Sequence, residues 1–430
     1  MRKKQIAGEF ITLDENGPQQ GAVRSSIQFA DTGAADAFGR LRMSEPFTLY
    51  DSATEYNALP LFWENIVTGT GSATHTPNSA SVTLTVGTDN NDRVVRQTKR
   101  YFRYQPGKSQ QILMTFTFGA AVTNTRKRAG YYDDRNGIYV ESDDTMNIVK
   151  RSYKTGTAVD TSVPQSSWNL DTLDGSGNSD NPSGVTFDRT KAQILIIDLE
   201  WLGVGRVRVG FVIDGAPRYC HQFLQANEAA GVYMSTANLP LRYEIVNVGT
   251  SAGATFEAIC AAVASEGGVQ ERNLTFSVSN GATLRQVTNA ALPVLALRCG
   301  TAFPSGGTLL YRGIIEPSSM EIYTEDAAIY WQAVYNPTVL GGSWVAADAT
   351  HSGAEYNVSG TAISGGVVID SGYAVATNQS RAIVGSELQT DLTLTNNVAG
   401  TAGDTLAIVC TRVTATSSDT AVSLKFKELY

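Results

Sequence analysis

The sequence predicts an all-β protein, and three observations predict it. Apolar residues recur with period two rather than 3.6, as in SVTLTV (81–86), QILMTFTFG (111–119), LRYEIVNVG (241–249), LTFSVS (274–279) and AVSLKFKEL (421–429). Turn signals separate these runs, among them GTDNND (87–92), RNG (135–137), DGSGNSDNPSG (174–184), PSGG (304–307) and NVAGTAGD (397–404). The composition, 42% hydrophobic but only 17% charged and with 40 glycines, favours strands and turns over helices. Short strands spaced by such turns build β-sandwiches and jelly rolls.

At 430 residues the chain exceeds what one core of roughly 250 residues holds, so it divides. Residues 1–56 carry only short apolar pieces, EFITL, SIQFA, FGRLRM and FTLYDS, too few to close a core, and read as an N-terminal anchoring arm. Residues 57–271 hold a dense strand series with Trp63, Trp168 and Trp201, enough for a large lectin-like, concanavalin-type β-sandwich. Gly267 and Gly268 break the pattern, and residues 272–430 form a smaller jelly-roll or Ig-like β-sandwich. NEAAGVYM (227–234) reads as a short helix. FEAICAAV (256–263) reads as a short helix or as a closing strand with Ala258, Cys260 and Ala262 on one face.

One hairpin can be read in register. In QILIIDLEWLGVGRVRVGFVIDG (193–215), a turn through Leu202, Gly203 and Val204 places Glu200 opposite Arg206 and Asp198 opposite Arg208. Ile197, Leu199, Trp201, Val207 and Val209 then share the other face. Cross-strand ion pairs contribute roughly 0.2–1 kcal/mol each. The set Asp198, Glu200, Arg206 and Arg208 therefore reads as a structural charge ladder. Two carboxylates on one strand face also suit a glycan hydrolase, but facing arginines hold both ionised, which opposes acid catalysis.

Other chemistry is excluded in turn. A net charge of -8 gives no field for nucleic acid, and no apolar window of ~18 residues supports membrane insertion or a signal peptide. Cys220, Cys260, Cys299 and Cys410 stand far apart and read as buried free thiols of a protein made in a reducing cytoplasm. His75, His221 and His351 occupy three neighbourhoods, Cys220 and His221 point to opposite strand faces, and no phosphate-binding or nucleophile motif occurs. The loop from Asp174 to Asp180 alternates oxygen donors but lacks the calcium-loop glycine and closing glutamate, having Ser179 and Val185 there. No cofactor, no metal and no enzymatic activity are expected.

Two stretches look built for contact. RVVRQTKRYFRYQPGK (93–108) interleaves cations with aromatics, and Arg96, Lys99, Arg100, Tyr101, Arg103 and Tyr104 form a candidate partner-binding patch. DAFGRLRMSEPFTLYDS (36–52) alternates basic and apolar residues up to Pro46. Phe38, Arg40, Leu41, Arg42, Phe47, Leu49 and Tyr50 are therefore the expected assembly interface, docking by strand addition and apolar burial.

At these residues the chain resembles a family of virion structural proteins of tailed bacteriophages. DAFGRLRMSEPFTLYDS, QTKRYFRYQPGKSQ, IDLEWLGVGRVRVGFVIDG and YCHQF carry the resemblance, which spans roughly residues 26–266. It implies a non-enzymatic particle component made in the bacterial cytoplasm and residing in the virion, as a head- or tail-attached decoration or appendage protein. Its implied partners are other virion proteins of the capsid, portal, collar or tail, and copies of itself, with a trimer as the expected closed form. The alternative is a glycan-binding host-receptor adhesin of the tail fibre or spike type, with Tyr131, Tyr132 or Trp168 stacking on sugar rings.

Overall fold

The period-two runs become strands, and alternation decides which face each buries. In Ser109–Thr117, Gln110, Ile112, Met114 and Phe116 point inward while the residues between them are half-exposed. The computed structural model describes residues 2–6, 9–13, 46–270, 274–325, 327–375, 380–382, 393–413 and 417–430. The chain forms two units, Met1–Glu45 and Pro46–Tyr430. In the first, Arg2–Ile6 and Glu9–Leu13 pair antiparallel, with Arg2 opposite Leu13 and Ile6 opposite Glu9.

The second unit holds two β-sandwiches, as the sequence predicts. In the larger, a seven-stranded sheet runs Val159–Pro164, Met146–Ser152, Gly137–Ser142, Thr125–Tyr132, Leu241–Asn247, Arg93–Thr98, Trp63–Thr68. It faces a sheet in the order Ala216–Phe223, Val207–Ile213, Gln193–Leu199, Ser109–Thr117, Ala254–Glu266, Ser81–Val86, Ser72–Thr76. All pairings are antiparallel, and the core between the sheets is knit by aromatics: Phe118 lies 4.5 Å from Phe116 and 5.1 Å from Phe256, and Trp63 stacks on Tyr243 at 5.8 Å. Each such side chain stabilises the fold by roughly 1.5–3 kcal/mol on burial. The smaller sandwich faces a sheet built on Ser418–Leu429 and Ile314–Thr324 against one built on Leu292–Cys299, Thr405–Arg412 and Ile329–Tyr335, over a separate core containing Trp331, Phe426 and Leu406.

Three local expectations change. Pro46–Ala53 is a strand of the larger sandwich, pairing with Ala254–Glu266 so that Pro46 faces Glu266 and Ala53 faces Cys260. The boundary expected at 56/57 therefore falls between Glu45 and Pro46, because an apolar alternation looks the same whether its partner is its own sheet or a foreign one. FEAICAAV is the closing strand, but a bulge between Ala258 and Ala261 turns Ala261 and Val263, not Cys260 and Ala262, to the core. Thr54 supports the bulge, its hydroxyl donating to the carbonyls of Ala80 (2.6 Å) and Ile259 (3.3 Å). Residues 227–234 are turns and bends rather than a helix.

The 193–215 hairpin keeps the expected register, with Asp198 opposite Arg208 and Leu199 opposite Val207. Ile197, Leu199, Val207 and Val209 are buried, with Trp201 half-buried beside them. The chain then leaves the larger sandwich through a pinned linker. Gln105 grips Gln270 twice, Nε2 donating to its carbonyl at 2.6 Å and Oε1 accepting its N–H at 3.1 Å, while Lys108 Nζ donates to the Gly268 carbonyl at 2.6 Å.

Candidate functional site

Between the two sandwiches lies a cleft of about 960 Å³ that unites the two stretches the sequence singles out. Phe47, Leu49 and Tyr50 line it from one strand, Lys99, Arg100 and Arg103 from the segment after Arg93–Thr98, and Ile314, Glu316, Tyr335 and Leu429 from the smaller sandwich. Tyr50 packs on Phe102 at 5.3 Å and Phe62 at 6.3 Å, and burial pushes its hydroxyl pKa up to about 12. Phe47 is 50% exposed. Arg312 braces the junction: it donates to the carbonyls of Asn397 (2.7 Å) and Val398 (2.9 Å), and its guanidinium lies 4.7 Å over the Tyr101 ring. Across the same junction Glu64 accepts the Val398 N–H at 2.9 Å.

The predicted basic patch divides. Lys99, Arg100 and Arg103 are half-exposed in the cleft, but Arg96, Tyr101 and Tyr104 are buried and present no surface. Arg96 donates to the Ala58 carbonyl (2.8 Å) and Asn65 Oδ1 (3.2 Å), lies 4.7 Å over Trp63, and has its pKa drawn down to about 10 by burial. The sequence held a signal for this: in RVVRQT, Arg96 alternates with core-facing Val94 and shares its face. Of the expected arm interface, Phe47, Leu49 and Tyr50 belong to the paired strand, whereas Phe38, Arg40, Leu41 and Arg42 lie outside the described residues.

The charge ladder forms in part. Asp198 Oδ2 accepts from Arg208 Nη2 at 2.5 Å and from the Tyr219 hydroxyl, and Arg208 stacks 4.2 Å over the Tyr219 ring. Glu200 and Arg206 are joined only through their backbones, Glu200 N–H donating to the Arg206 carbonyl at 3.0 Å. Asp198 is thus fixed as an acceptor between two donors. Tyr131, Tyr132 and Trp168 are buried and cannot stack on a sugar.

Sequence reading missed a denser charge array on the seven-stranded sheet. Glu244, Arg128 and Glu141 lie directly opposite one another on three adjacent strands. Arg128 bonds Glu141 at 2.6 Å and Glu244 at 3.2 Å, while Arg93 and Arg242 each reach Glu244 at 3.0 Å. Burial opposes ionisation of Glu244, but Arg242, Arg128 and Arg93 outweigh it and hold the carboxyl well below the usual range. Beside this array Tyr132 and Tyr139, 4.3 Å apart, lie over Gly137 and Gly130, where a Cβ on Gly130 would meet Tyr139 Cβ at 2.6 Å.

Among the described residues no group of His, Cys, Asp and Glu could hold a metal, and the four cysteines are free, Cys260 half-buried and the others buried. In the 174–180 loop the oxygens serve the backbone, Asp174 accepting from Ser176 N–H at 2.9 Å and Asn178 from Asp180 N–H at 2.8 Å. No described helix is long and apolar enough to cross a membrane.

No family model and no curated protein matches the sequence. Among solved structures, a protein of unknown function from Shewanella oneidensis MR-1 aligns at TM-score 0.35 and 11% identity over 54% of this chain and 91% of its own. The CBM2 module of the evolved Dit of Lactobacillus casei BL23 phage J-1 aligns at TM-score 0.34 and 7% identity, over 53% of this chain and 100% of its own. The legume lectin-like domain from Entamoeba histolytica aligns at TM-score 0.30 and 10% identity, over 50% and 96%. Likeness this distant assigns neither ligand nor activity to this chain.

Proposed function

We propose that the chain is a non-enzymatic structural component of a tailed-phage virion that assembles through its N-terminal segment. One observation carries the reading. The described strands of the first unit, Arg2–Ile6 and Glu9–Leu13, pair with each other in a sheet of their own, and the second unit begins at Pro46 on a strand already paired in its sheet. Strand addition is a common way for such a segment to engage a partner. The commitment of Asp198 to Arg208 and Tyr219 supports a structural rather than catalytic role for that carboxylate.

The test is incorporation of truncated chains into purified particles, scored by mass spectrometry. A chain starting at Pro46 is expected to fold and to be missing from particles. A chain starting at Asn57 also loses the strand on Ala254–Glu266 and is expected to misfold. Normal incorporation of the Pro46 chain would refute the reading.

A further inference from the structure

The strand Pro46–Ala53 is paired along one edge only. Its ladder with Ala254–Glu266 uses that edge, no described strand joins the other, and among the described residues no backbone hydrogen bond from Pro46–Ala53 leaves the ladder. A strand carries N–H and C=O groups along both edges, so alternate backbone groups here point away from the partner strand. Leu49 is an extra residue facing Val263 and Ala264, a bulge that bends the chain, and the straight stretch is Tyr50–Ala53.

The open edge faces the cleft between the sandwiches. Successive side chains of a strand point to opposite faces, yet every residue from Phe47 to Ala53 lines the cleft, so the cleft meets the strand edge-on. Phe47, Thr48, Asp51 and Ala53 are exposed, which leaves the edge within reach. Free edges are commonly blunted by charge, by proline or by a covering loop. This one carries a single charge, Asp51, and one proline, at its start.

The remaining walls specify what fits. Leu61 and Phe62 of the larger sandwich and Ile314 and Leu429 of the smaller make them apolar. The charges lining the cleft are Lys99, Arg100 and Arg103 against Asp51 and Glu316, an excess of positive charge. Lys99 is half-exposed and ion-pairs with no described carboxylate. A row of alternating donors and acceptors is matched along its length by another extended backbone, and pockets for alternate side chains then select its sequence.

We propose that the Tyr50–Ala53 edge receives, as an added strand, an extended segment of a partner protein in which apolar residues alternate with Asp or Glu. The apolar side chains enter the cleft and an acidic one meets Lys99. The inference concerns the body's own sheet and is independent of the role of the N-terminal segment.

Selection of displayed random peptides on the immobilised full chain, followed by fluorescence-anisotropy titration of the enriched sequence, tests it. Peptides that alternate apolar and acidic residues are expected to enrich. Lys99→Glu is expected to weaken the enriched peptide about tenfold or more, because like charges then face each other. Phe47→Glu, at a position 50% exposed, is a second variant that leaves the core intact and is also expected to weaken it. An added strand uses only every second N–H, so the peptide N-methylated at alternate residues is expected to bind in one register and to fail in the other. No enrichment over bare support, enrichment of basic peptides, equal affinity for wild type and both variants, or the same effect of N-methylation in both registers would overturn the proposal.

Discussion

The two sandwiches each bury a glutamate to 2% exposure, and they hold it by opposite means. In the larger, Glu244 sits among the guanidiniums of Arg93, Arg128 and Arg242. In the smaller, Glu428 accepts from the hydroxyls of Tyr311 and Ser352, both at 2.6 Å, and from the Gly353 N–H at 2.7 Å, with no described cation paired to it. A buried carboxylate can thus be kept by charge or by oriented neutral donors. The first arrangement fixes strand register over several strands, since a slip of one residue would carry Arg128 to the other sheet face, away from Glu141 and Glu244. The second fixes one loop.

The sharpest break of that comparison is Glu244→Gln, which leaves buried Arg128 and Arg242 short of their shared counter-charge. It is expected to destabilise by about 3–5 kcal/mol in urea denaturation, as when one partner of a buried pair is removed. A loss below about 1 kcal/mol would mean the arginines are stable without it. The effect should also depend on pH. The folded pKa of Glu244 is depressed, so its contribution is complete above the unfolded value of about 4.3 and fades as pH falls below it. The gap between wild type and Glu244→Gln should therefore shrink under acid; a gap constant down to about pH 3 would contradict the charge account.

Glu428→Gln is expected to cost less, about 1–3 kcal/mol, because only hydrogen-bond geometry is lost when an amide NH₂ meets one of three donors. A loss as large as that of Glu244→Gln would erase the distinction. Smallest of all, Arg208→Met removes a half-exposed partner from Asp198, which keeps Tyr219, and about 1 kcal/mol or less is expected. Thermal unfolding of the three variants in one buffer ranks them directly.

The difference also explains what could be read from sequence. The hairpin pair Asp198 and Arg208 was legible because a short turn fixes its register. The Glu244 array was not, since Arg93, Arg128, Glu141 and Glu244 come from four strands whose alignment depends on the whole sheet. The strands and the two sandwiches followed from alternation and turns. The cleft did not follow: Pro46–Ala53 showed its polar and apolar edges but not its partner, and the basic run showed charge but not that its aromatics turn inward.

The pairing of Pro46 with Glu266 has a mechanical side. The chain enters the body at Pro46 and leaves for the smaller sandwich just past Glu266, so entry and exit sit at one end of the same antiparallel ladder. Tension between the N-terminal segment and the smaller sandwich would open that ladder one rung at a time, in the manner of a zipper, and bypass most of the larger sandwich. A pull between the N-terminal segment and the opposite end of Ala254–Glu266 would instead shear every rung together. Resistance to force should therefore depend on where the chain is held.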